Sequence, residues 1–121
     1  MTNITSSTGN GFYSTGSVIS IQVTFDEIVT VTGTPQLTLE TGTTDAVVNY
    51  TSGTGTNVLT FTYTIAAGQA SLDLDYISTS GLALNGGTIN DANTNTATLT
   101  LPAPGAAGSL GANKAIIVDS Q

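Results

Sequence analysis

A chain of 121 residues with a formal net charge of −7 and one cation, Lys114, has room for a single hydrophobic core and no means of neutralising a phosphate backbone. It contains no His, Cys, Arg or Trp, which removes imidazole bases, thiolate nucleophiles, thiolate metal sites and iron–sulfur chemistry. Nucleic acid and anionic membranes are thereby excluded as partners, no apolar run is long enough for membrane insertion, and the natural counterpart of eight carboxylates is a cation.

In chain order, Met1-Thr2-Asn3-Ile4-Thr5 has neither a basic nor an apolar leader character. A strand is predicted over 3–6, so Met1 is expected to be an expression start on a unit taken from a longer protein. Gly9-Asn10-Gly11 marks a turn. Ile19, Ile21, Val23 and Phe25 alternate with polar residues and predict a half-buried strand over 18–25. After Thr34-Pro35, Leu37 and Leu39 place a strand over 36–40, and Val48 and Tyr50 place one over 46–50. Gly53-Thr54-Gly55 turns the chain into the strongest alternation, Leu59, Phe61, Tyr63 and Ile65 over 58–65. That apolar face is expected in the core opposite Ile21, Val23 and Phe25. Leu72, Leu74 and Tyr76 predict a strand over 72–77, while 82–95, with the turn Asn85-Gly86-Gly87, has no clear period. A last strand starts at Ala97, is interrupted by Pro102 and Pro104, and resumes over 115–118.

No segment carries a helical stripe, so sheet packed on sheet is the available way to bury every apolar face. The expected fold is all-β, one domain over 1–121, built as an Ig-like Greek-key β-sandwich of about seven antiparallel strands. The chain contains no internal repeat, which suits a single unit.

Four stretches carry a resemblance: Ile21-Gln22-Val23-Thr24-Phe25-Asp26-Glu27, Leu72-Asp73-Leu74-Asp75-Tyr76, Leu84-Asn85-Gly86-Gly87-Thr88-Ile89-Asn90-Asp91 and Ala112-Asn113-Lys114-Ala115-Ile116-Ile117-Val118-Asp119. Over nearly its whole length the chain resembles the tandem bacterial Ig-like, cadherin-like repeats of very large secreted adhesins and surface fibres. The resemblance implies an extracellular, cell-surface extender whose partners are neighbouring copies of the same domain in tandem, with calcium stiffening the joints.

Calcium takes six to eight oxygens, so its ligands are expected where acidic loops converge at one end of a sandwich. With strands alternating up and down, Asp26 and Glu27 would gather with Asp91 and Asn93 at the N-terminal pole, and Asp73 and Asp75 with Asp119 at the other. Stacked copies would then bring two partial sites together. Asp73 and Asp75 alternate with Leu72, Leu74 and Tyr76, which predicts one shared outer face with the carboxylates about 7 Å apart. Like charges so close call for a counter-ion. The competing reading is that loop carboxylates keep a Thr-rich surface soluble and that Asp91 and Asn93 serve turn geometry.

Other features have simpler explanations. Ranks such as Thr60, Thr62 and Thr64, or Thr96, Thr98 and Thr100, suggest an ice-binding surface, but β-propensity alone accounts for them. Lys114 is read as a neutralising rim lysine rather than as an isopeptide partner of Asn49. An enzyme would have to work with carboxylates alone, and the adjacent Asp26 and Glu27 face opposite ways on a strand, so no catalysis is expected. The rival function is a carbohydrate- or partner-binding module. It needs exposed aromatic platforms, and Tyr50, Tyr63 and Tyr76 fall on inward positions, leaving Phe12 and Tyr13.

Overall fold

In the computed structural model, which describes residues 3–42 and 45–119, the alternating apolar residues form two adjacent strands that organise the rest. Met1, expected to be an expression start, lies outside the described residues. The strands are β1 (Asn3–Ser6), β2 (Gly11–Tyr13), β3 (Val18–Thr32), β4 (Gln36–Leu39), β5 (Ala46–Ser52), β6 (Thr56–Thr64), β7 (Ala70–Ser71), β8 (Leu82–Ala83), β9 (Thr88–Asp91) and β10 (Ile116–Asp119), with one helical turn, α1 (Leu110–Asn113). The protein is all-β, and its main sheet curls into a half-barrel in the order β1-β3-β6-β5-β4-β8, with β9 also on β3. A second sheet, β2-β10-β7, contributes Ile116 and Val118 to the same core.

The pairing of β3 with β6 sets Ile19 opposite Tyr63, Ile21 opposite Phe61 and Val23 opposite Leu59, and all six side chains are buried. Here the expected core face is present. The other faces of these strands carry Thr, Ser and Gln, giving the inward-outward alternation of a half-buried sheet.

Four expectations need correction. The strand predicted over 18–25 runs on to Thr32, because a bulge between Thr24 and Val29 lets Asp26, Glu27 and Ile28 all point outward before the ladder resumes against β9. The predicted strand over 72–77 is absent as a ladder. Only Ala70–Ser71 pairs with β10, and Tyr76 makes a single bridge to Leu39, so the alternation fails: Leu72 is 90% exposed while Asp75 is 8% exposed. From Ala97 to Leu101 the chain is irregular, held by Ala97 N–H on the Ile89 carbonyl and Leu101 N–H on the Thr79 carbonyl. Finally, β2 pairs with β10 in parallel, so the strands are neither seven nor all antiparallel.

At the β5–β6 turn, Gly53 has φ +117° and a Cβ there would stand 2.2 Å from the Val58 carbonyl oxygen, which only glycine avoids. The second half of β3 grips this turn: Val31 N–H donates to Thr54 Oγ1 and Gly55 N–H donates to the Val29 carbonyl.

Register also sets the direction of the chain ends. Asn3 lies opposite Thr24, beside the bulge. From there β1 runs back along β3, crosses to the second sheet on bonds from Ser6 Oγ to the Ser20 carbonyl and from Ser20 N–H to Thr8 Oγ1, and continues as β2. Because β10 runs parallel to β2, it ends at Asp119 at the opposite pole, beside Ala70.

Candidate functional site

At the N-terminal pole the bulge presents Asp26 and Glu27, and the pairing of Val29 with Asp91 brings the end of β9 against them. The result is a polar cleft of about 240 Å³ whose lining includes Asp26, Glu27, Asp91, Thr96 and Thr98. Asp91 Oδ1 accepts the N–H groups of Asn93 and Asn95, each at 2.9 Å, so Asn93 takes part through its backbone. A hydrogen bond to Asp91, then the charges of Asp91 and Asp26, hold the Glu27 carboxyl above its ordinary range. The N–H groups of Asn95 and Asn93, with Glu27, hold Asp91 below its own. Like charges are thus held close together at an open surface, a repulsion that a cation would relieve.

The opposite pole is assembled differently from expectation. Asp119 pairs with Ala70, whose N–H donates to the Thr41 carbonyl, so the β4–β5 connection lies beside it. Glu40 and Asp45 flank that connection and accept from the Gly42 and Thr41 N–H groups, respectively. Neither was singled out in the sequence, although the position of their hairpin turn between 36–40 and 46–50 was the available signal. Asp73 and Asp75 stand back from this pole, since Leu74 N–H donates to the Ile116 carbonyl, three residues before Asp119. Partial burial and the charge of Asp75 push the Asp73 carboxyl up. Asp75 itself points inward, its Oδ1 accepting Tyr76 N–H and its Oδ2 accepting Gly105 N–H.

The carboxylates therefore sort into Asp26, Glu27 and Asp91 at one end, Asp119, Glu40 and Asp45 at the other, and Asp73 and Asp75 between. Among the described residues, no three acidic side chains sit close enough to hold a metal ion by themselves. Each pole offers part of the six-to-eight-oxygen shell of calcium.

Tyr63 and Tyr76 are buried, donating to Gln69 Oε1 at 2.6 Å and to the Pro102 carbonyl at 2.5 Å, and neither is a binding platform. Asn49 is exposed on the outer face of the large sheet and accepts from Gln36 Nε2, whereas Lys114 follows α1 beside the second sheet. Burial pushes the Tyr63 hydroxyl up to about 12, and burial with the Asp75 charge raises that of Tyr76 further. An unfolded tyrosine ionises near pH ~10, so this stability is whole below that pH and is lost as the pH rises toward the folded-state values. Tyrosinate absorbance should contain a late component that develops together with loss of the β circular-dichroism signal. Complete tyrosinate formation with the fold intact would contradict the burial.

Among the described residues no helix is long and apolar enough to cross a membrane. Comparison with protein-family models, curated proteins and solved structures finds no match to this chain.

Proposed function

We propose that the chain is a structural, non-catalytic extender repeat of a large secreted bacterial adhesin or surface fibre, strung in tandem with copies of itself, with calcium at the junctions. The observation that carries this reading is the placement of Asn3 and Asp119 at opposite poles, each pole bearing exposed carboxylates. Such a unit extends when repeated, and stacking joins two partial coordination shells: Asp26, Glu27 and Asp91 of one copy with Asp119, Glu40 and Asp45 of the copy before it. The order β1-β3-β6-β5, and β10 lying between parallel β2 and antiparallel β7, favour the Ig-like Greek-key assignment. A carbohydrate-binding module would stack sugars on several aromatic rings, and Phe12 is the one strongly exposed ring among the described residues.

A head-to-tail fusion of two copies tests the reading. Calcium should raise its melting temperature by several degrees and lengthen its scattering envelope, with a much smaller effect on one copy, by mass action on a site completed only at the joint. Asp119→Ala in the first copy, or Asp26→Ala in the second, should remove the change. Identical melting and scattering in chelator and in millimolar calcium would leave the acidic poles as solubilising surface only.

A further inference from the structure

We infer that the joint between tandem copies is also an apolar contact, in which Ile28 of the following copy seats on a rank of three side chains, Phe12, Ile117 and Leu72, of the preceding one. The inference rests on the tandem reading. Ile117 pairs with Phe12, and the pairing of Val118 with Ser71 sets Leu72 beside Ile117, so the three lie level across the outer face of the second sheet. Phe12 is 79% and Leu72 90% exposed, and with Ala70, Ile117 and Asp119 they border a shallow cleft of about 400 Å³. Together they make an exposed apolar patch rather than a scattered single residue.

The size of the patch identifies its occupant. Its exposed apolar area is on the order of 300 Å², whereas a stable interface between free partners buries more than about 1,000 Å² in total. A free second copy would not stay bound, but a tethered one, held at an effective concentration near the millimolar range, would. In a fusion, Ser120, Gln121, Met1 and Thr2 separate Asp119 from the next Asn3, so the next N-terminal pole is confined within roughly 18 Å of Asp119. Among the described residues that pole carries one large exposed apolar side chain, Ile28, 59% exposed on the bulge and four residues beyond the Thr24 that pairs with Asn3. Asp26 and Glu27 immediately precede Ile28, and Asp119 borders the patch, so seating Ile28 brings like charges together. Docking is therefore expected to strengthen when calcium or salt removes that repulsion.

Because the chain has no cysteine, the contact can be read by cross-linking. In the two-copy fusion, Phe12→Cys in the first copy with Ile28→Cys in the second should form a disulfide at least tenfold faster in calcium than Val47→Cys with Ile28→Cys. Val47 is similarly exposed but lies on the outer face of the large sheet. Leu72→Cys with Ile28→Cys should match the first pair. All four positions are exposed, so the folds should tolerate the changes. Cross-linking at the control rate while calcium still raises the melting temperature of the unsubstituted fusion would overturn the docking and leave the extender reading standing. Control-rate cross-linking with no calcium effect would remove both.

Discussion

Replacing Phe61 with alanine should destabilise the fold by about 3–5 kcal/mol, the range for truncating a fully buried aromatic ring where neighbours cannot close the cavity. Phe61 lies on β6 between β3 and β5, opposite Ile21 on one side and Tyr50 on the other. Its ring meets that of Tyr50 edge-on, with centroids 6.1 Å apart and planes at 74°, so the substitution loses an aromatic pair as well as burial. Collapse is hindered because both flanking strands are fixed by their ladders. Denaturant titration should show a lower midpoint with an unchanged slope. Thr64→Ala, on the exposed face of the same strand, should stay within about 0.5 kcal/mol of the parent. A Phe61→Ala loss no larger than that of Thr64→Ala would mean that the register of β6 is wrong.

The same register explains what could be read in advance. On β3 and β6 every second residue is apolar and each strand buries one face, so period two in the sequence becomes pairing in space. In the sequence the strand ends at Phe25, because Asp26 and Glu27 look like a strand end. A bulge carries both outward and the strand continues through Val29 to Thr32. At 72–77 the alternation misled for a different reason. Strand pairing ends at Ser71, which frees the chain to rotate, so Leu74, Asp75 and Tyr76 are buried in succession. What covers Asp75 is the Pro-, Ala- and Gly-rich stretch after Leu101, whose composition has no apolar period to announce a tertiary role.

The candidate site divides along the same line. Asp26, Glu27 and Asp91 are expected at one pole from a count of alternating strands that includes the absent one over 72–77; what brings Asp91 to the bulge is the pairing of β9 with the extension of β3. Asp73 and Asp75 were misplaced because their position depended on a strand that does not form. Glu40 and Asp45 went unnoticed because each bonds a nearby backbone N–H in a short connection, and their nearness to Asp119 arises only from the contact of Ala70 with Thr41.

These two classes of carboxylate should separate cleanly on substitution. Asp75→Ala is expected to cost about 2–3 kcal/mol, by the loss of hydrogen bonds to a buried charged acceptor. Its Oδ2 holds Gly105 N–H at 3.0 Å, and that N–H also reaches Ser109 Oγ, which caps α1 by accepting from Ala112 N–H. Gly111 lies directly over the carboxylate, where a Cβ would come within 2.5 Å of Oδ2, so α1 packs bare backbone on it. Asn113, at the end of α1, donates from Nδ2 to Asn3 Oδ1 and to the Ile4 carbonyl, so the latch reaches the first strand. Removing Asp75 should loosen the 102–113 segment and β1 together, with faster amide exchange at Gly105, Ala112 and the neighbouring residues of both. Because the carboxylate faces inward, the loss should be the same in chelator and in calcium. Asp119→Ala in the same single copy should leave stability nearly unchanged, its effect appearing only in the fused pair with calcium present. An Asp75→Ala loss confined to calcium would make Asp75 a metal ligand, and the latch would have to be abandoned.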